Sequence, residues 1–139
     1  MPELDKKTQE RLKKLDVAVV YAFGSKVQKA ETAFSDIDIG IVFTNDTFLN
    51  DPKSIRKKYN ELYDILSEAY HPSFIKELDL VFLQQASVSL QYQAISKGKV
   101  IFETSGEFTA NYEEGIIDEY LDFKHVLNYI DNLIIKRIA

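Results

Sequence analysis

The segment Asp36–Phe43, DIDIGIVF, limits the fold more than any other part of the chain. Ile37, Ile39, Ile41 and Phe43 alternate with Asp36, Asp38, Gly40 and Val42, which is the period of a strand and not of a helix. Such a strand has one apolar face to bury and a second face that begins with two carboxylates. Asp36 and Asp38 stand two residues apart and so project from the same side of a sheet. Two like charges in that position repel, whereas a divalent cation between them turns the repulsion into coordination. Hard oxygen ligands of this kind suit Mg²⁺ or Mn²⁺ and not a thiol-loving metal.

The flanking sequence supplies the rest of a sheet. Val17–Phe23, VAVVYAF, is a β-branched and aromatic run that reads as a strand covered on both faces, and it stops at Gly24-Ser25. Leu78–Leu83, LDLVFL, reads as a third buried strand with one acid, Asp79, in an apolar setting that asks for a cationic partner. Val100–Glu103 reads as a short edge strand. Helices are expected at Asp5–Leu15, Pro52–Tyr70 and Ser87–Ser96, the last closed by Gly98 as its C-cap. A long C-terminal helix is expected over Phe108–Ile138, on the stripe Ile116, Tyr120, Phe123, Leu127, Ile130 and Ile134, with Gly115 interrupting it near its start. The expectation is a mixed α/β or α+β domain over residues 1–139, with about four strands in a mixed sheet flanked by helices.

Bulk properties remove several classes of function. The net charge of -5 gives no global basic field, which disfavours direct nucleic-acid binding. With no cysteine there is neither a disulfide framework nor a thiolate metal site nor a covalent thiol mechanism, which suits a reducing cytoplasm. No stretch approaches the roughly 18 apolar residues of a membrane span, and the first fifteen residues lack the apolar core of a signal peptide. His71 and His125 have no partner at metal-binding spacing and read as structural or surface groups. The isoleucine-rich end, Ile130 to Ile138, is wider than one core seam requires and suggests a partner interface, homo- or hetero-oligomeric, on the C-terminal helix.

The chemistry lies in a combination. Gly24-Ser25 after a buried strand offers backbone N–H groups and a hydroxyl to a phosphate. Ser35, at the head of the next strand, suits either contact with a phosphate or an ordinary turn. If Asp79 joins Asp36 and Asp38 on one face, three carboxylates can hold two metal ions about 4 Å apart, the geometry for in-line nucleotidyl displacement. Together the motifs GSKVQKAETAFSDID and LDLVFL, followed by QQASVSLQYQAISKGKVIFE, resemble the minimal nucleotidyltransferases of the DNA polymerase β superfamily, especially the MNT antitoxins paired with HEPN toxins. The resemblance covers most of the chain from Val17 onward.

That resemblance implies a nucleotidyltransferase fold, ATP as co-substrate with Mg²⁺, and transfer of AMP to a tyrosine of a cognate HEPN toxin. By position, Gly24 and Ser25 would hold triphosphate oxygens, Asp36 and Asp38 would bind both metals, and Asp79 would complete the second metal site. One departure stands out: the family often has Arg-Gly a few residues after its Gly-Ser pair, where this chain has Gln28-Lys29. Lys26 or Lys29 would then supply a point charge to the phosphates in place of the arginine fork. Two other readings follow from the same fold: a non-catalytic antitoxin that neutralises its toxin by stoichiometric binding, and a nucleotidyltransferase acting on an antibiotic hydroxyl.

Overall fold

Alternation and helical stripes resolve into a four-stranded sheet between two pairs of helices. The computed structural model describes residues 4–23, 37–70 and 78–138. In chain order these form α1 (Lys6–Lys14), β1 (Val17–Phe23), β2 (Ile37–Phe43), α2 (Pro52–Ala69), β3 (Leu78–Phe82), α3 (Val88–Lys97), β4 (Lys99–Glu103) and α4 (Gly106–Ile138), with short 3-10 turns at Thr47–Asn50 and Leu83–Gln85. The strand order is β3-β2-β1-β4. β1 runs antiparallel to β2 and to β4, and β2 runs parallel to β3, so the sheet is mixed, as expected.

All seven residues of β1 are buried, which is why its sequence shows no polar face. On one side of the sheet Val20, Ala22, Ile39, Ile41, Phe43, Leu80 and Phe82 pack with Leu12 of α1 and Leu62, Ile65 and Leu66 of α2. Phe43 meets Phe48 and Phe82 edge-on at 4.7 and 4.9 Å between ring centroids, a favoured aromatic geometry. Lys58 lies with its Nζ 4.4 Å from the Phe48 ring centroid while it donates to the Leu15 carbonyl at 2.9 Å. On the other side Val19, Tyr21, Phe23, Val42 and Leu83 pack with Ala94 of α3.

The element ends follow local chemistry. Asp5, Asp51 and Ser87 cap the N-termini of α1, α2 and α3 by accepting from Thr8, Lys53 and Leu90 backbone N–H groups. The hydrogen bond from Thr8 also holds the Asp5 carboxyl below its ordinary range. Leu83, expected in the third strand, instead turns into the 3-10 segment, and the next residue, Gln84, donates to the Phe43 carbonyl and accepts from its N–H at 3.0 and 2.8 Å. That side chain replaces a strand partner at the end of β2. Gly115 was expected to interrupt the last helix, but α4 runs unbroken from Gly106 to Ile138. One glycine costs only about 1 kcal/mol in a helix interior, too little to break a helix of 33 residues.

Candidate active site

Two carboxylates meet where three strands end. β2 buries Ile39, Ile41 and Phe43 toward α1 and α2, so alternation turns Asp38, Gly40 and Val42 toward the side of α3. The register pairs Asp38 directly with Asp79 on the parallel strand β3, and with Phe23 at the end of β1. Paired residues of neighbouring strands share a face, with strands about 4.8 Å apart, so the two carboxylates stand side by side. Asp38 is half-buried. Asp79, expected to be buried among apolar neighbours, is exposed on its outer strand face. Its reason for a cation is therefore the adjacent Asp38, not desolvation.

A small residue shapes the floor beside them. A Cβ on Gly40 would stand 2.8 Å from Leu83 Cδ1 and 3.1 Å from Phe23 Cε1. Glycine at this point lets the leucine and the phenyl ring close over β2 next to Asp38. The sequence signal was present, as the smallest residue on the acidic face of the strand, but its meaning depends on Leu83, which lies 43 positions later.

Gly24, Ser25, Lys26, Lys29, Ser35 and Asp36, with His71, lie outside the described residues. Among the described residues no group of three or more acidic, histidine or cysteine side chains gathers to hold a metal ion. What the described part of the site offers is the Asp38 and Asp79 pair, and two adjacent hard-oxygen ligands fit a divalent cation. His125 is exposed on α4, away from this pair in sequence and burial.

A buried polar network ties the site's sheet to the helices above it. The Tyr21 hydroxyl donates to Glu113 Oε1 at 2.8 Å, and the Tyr112 hydroxyl donates to Gln91 Oε1 at 2.7 Å. Gln91 in turn donates to the Ala86 carbonyl at 3.0 Å. The run VAVVYAF marks Tyr21 as buried but carries no sign of its hydroxyl's partner, because Glu113 lies 92 positions away.

Burial raises the pKa of Tyr21, with the Glu113 carboxylate adding to the shift, and burial likewise raises Tyr112 and pushes Tyr70 up to about 12. An unfolded tyrosine ionises near pH ~10. Stability from keeping these phenols neutral is fully present below that pH and is lost as pH rises toward the folded-state values. Alkaline titration followed by tyrosinate absorbance is expected to leave Tyr21, Tyr70 and Tyr112 silent until the chain unfolds. Smooth titration of all eight tyrosines in a folded chain would contradict this burial.

The family model for polymerase beta nucleotidyltransferases matches residues 6–107. That is most of the chain, and the protein belongs to this nucleotidyltransferase family. No curated protein matches it by sequence. Several solved structures share its fold. One chain of a crystal structure of a toxin-antitoxin with AMP-PNP is 22% identical, at a TM-score of 0.58 over 94% of this chain and 98% of that one. A chain from the structure of the tri-AMPylated Shewanella oneidensis HEPN toxin in complex with MNT antitoxin is 20% identical, at a TM-score of 0.54 over 96% and 98% of the two chains. A chain of the MntA-HepT toxin-antitoxin crystal structure is 20% identical, at 0.54 over 97% and 100%. The family and the four-stranded mixed sheet with its long last helix agree with the resemblance read from the motifs. No helix among the described residues is long and apolar enough to cross a membrane.

Proposed function

We propose that the protein transfers AMP from ATP to a tyrosine hydroxyl of a cognate HEPN toxin and thereby acts as its antitoxin. The observation that carries this reading is the register pairing of Asp38 with Asp79 on one face of a nucleotidyltransferase sheet. Similar folds in structures of a toxin-antitoxin with AMP-PNP and of an AMPylated HEPN toxin with its MNT antitoxin support the choice of nucleotide and acceptor.

In this reading Asp36, Asp38 and Asp79 hold two Mg²⁺ ions, or Mn²⁺. Those ions, when bound, would neutralise triphosphate charge and lower the pKa of the attacking phenol. Gly24, Ser25 and Ser35 receive triphosphate oxygens, and Lys26 or Lys29 adds a point charge. Asp79, exposed at the rim, accepts the proton of the tyrosine hydroxyl. The phenolic oxygen forms a bond to the α-phosphorus, the bond from that phosphorus to the bridging oxygen breaks, and pyrophosphate leaves.

The Gln28-Lys29 departure favours one alternative, neutralisation by binding alone. Co-expression separates the two. The toxin recovered with the wild-type chain is expected to carry AMP on a tyrosine and to stay inactive after the antitoxin is stripped away. Toxin recovered with an Asp38→Asn chain is expected to be unmodified and active. Unmodified toxin from both cultures, silent only while bound, would establish the stoichiometric reading instead.

A further inference from the structure

The stripe that seats α4 on the domain does not stop where the domain stops. Ile116 is buried and Tyr120 stacks on Tyr92 of α3 at 3.9 Å, yet every residue from 121 to 136 is exposed. At about 1.5 Å per residue the overhang is a helix some 24 Å long that no described residue covers. Ten large apolar side chains between Ile117 and Ile135 are 40–63% exposed. Four of them, Phe123, Leu127, Ile130 and Ile134, fall on one side of the helix and are 43–50% exposed, while the other six are spread around its remaining sides. The buried start and the bare continuation form one sequence of steps, 116, 120, 123, 127, 130 and 134. The alternating spacing of four and three is that of a helix built to pack on another helix.

We propose that this face is covered by a second copy of the chain, the two α4 overhangs packing antiparallel. Steric and charge patterns both choose this occupant. The body of the domain already covers the seam up to Tyr120, so a parallel partner would drive its own body into the same space. An antiparallel partner carries its body to the far end. In that register Phe123 faces Ile134 of the second copy and Leu127 faces its Ile130, and the two-fold axis repeats both layers. The partner's helix end then abuts the Tyr92 and Tyr120 stack, so the overhang is as long as the seam it must fill. Beside the seam Lys124 falls within reach of Asp131 of the second copy, and symmetry makes this two ion pairs. The acids crowded into the first half of α4, Asp118, Glu119 and Asp122 among them, lie toward the lysine-bearing end of the other helix.

Four apolar layers bury less than a standard interface, so the dimer is expected at micromolar affinity, with Kd on the order of 10 µM. Sedimentation equilibrium of the chain alone at about 100 µM, well above that Kd, is expected to give twice the 16.0 kDa monomer mass. Leu127→Asp is expected to raise Kd by about 100-fold or more, since it places a charge in the central layers. Lys124→Asp sets carboxylates against each other and is expected to weaken the dimer about tenfold, while Lys124→Asp with Asp131→Lys recovers it. Circular dichroism checks that the charge variants keep α4 helical. A wild-type monomer at that concentration overturns the proposal, as does a dimer that Leu127→Asp leaves intact. Failure of the double exchange to recover association overturns the antiparallel register. If the chain alone is monomeric and Leu127→Asp instead abolishes binding of a HEPN toxin, the face belongs to that partner and not to a second copy.

Discussion

Asp38→Asn is expected to lower nucleotidyl transfer by about 10³-fold while leaving the fold intact. An amide keeps the shape of the side chain but not the charge that holds a divalent cation, and removing such electrostatic stabilisation costs several kcal/mol of barrier, at about 1.4 kcal/mol per decade. Asp79→Asn is expected to have a similar effect on transfer, because Asp79 stands in register beside Asp38 on the neighbouring strand. Asp79 is exposed, so Asp79→Asn should change stability in chelator by no more than about 0.5 kcal/mol. It should nevertheless lose most of the stabilisation that Mg²⁺ and a non-hydrolysable ATP analogue give the wild type. Thermal melts with and without these ligands check both halves. A variant that is less stable in chelator and gains as much from the ligands would mean that the pair is structural.

Gly98→Ala is expected to be the most damaging single-methyl change, lowering stability by about 3 kcal/mol and the melting temperature by about 10 °C. Its backbone angles suit any residue, since φ is -82°. The obstacle is space. Gly98 N–H donates to the Ala94 carbonyl to close α3, and an added Cβ would stand 2.2 Å from that same oxygen. It would also meet the Ala22 carbonyl and Phe23 Cβ at 3.1 Å. Backbone cannot swing aside as a side chain can, so α3 and the end of β1 must shift. Because Phe23 pairs with Asp38, the same substitution is expected to reduce transfer more than an equally destabilising change far from the site, such as Ile65→Ala on the buried face of α2. Thermal melts and transfer rates below the transition test this, and equal loss of activity in both variants would remove the link to the site.

Much of the sheet was legible because its strands differ in burial. β1 reads as apolar throughout because both faces are covered, and β2 alternates because its two faces meet different surroundings. The parallel pairing of β2 with β3 was not legible, since no local residue sets the direction of a strand that arrives through a long helix. Asp79 was noticed for the wrong physical reason. It reads as an acid trapped in LDLVFL, but β3 is an edge strand with that face open, and the side chain is exposed. Its significance comes from register with Asp38, a long-range property. Gly115 misled in the other direction, because a local preference of about 1 kcal/mol is overridden by the many turns of α4 on either side. Gly98 was legible as the C-cap of α3, whereas the tight fit at Gly40 and the Tyr21 to Glu113 bond were not, because each depends on an atom contributed by a distant part of the chain.

The most direct test of the central claim follows each phosphorus of ATP separately. The chain is incubated with Mg²⁺, a cognate HEPN toxin, and ATP labelled at either the α- or the γ-phosphorus. Label from the α-position is expected to enter the toxin and resist denaturation, while label from the γ-position is expected to leave entirely as pyrophosphate, and neither should occur with Asp38→Asn. Transfer of the γ-label to the toxin, or no transfer by the wild type while the toxin is still bound, would contradict the assignment of Asp38 and Asp79 to nucleotidyl transfer.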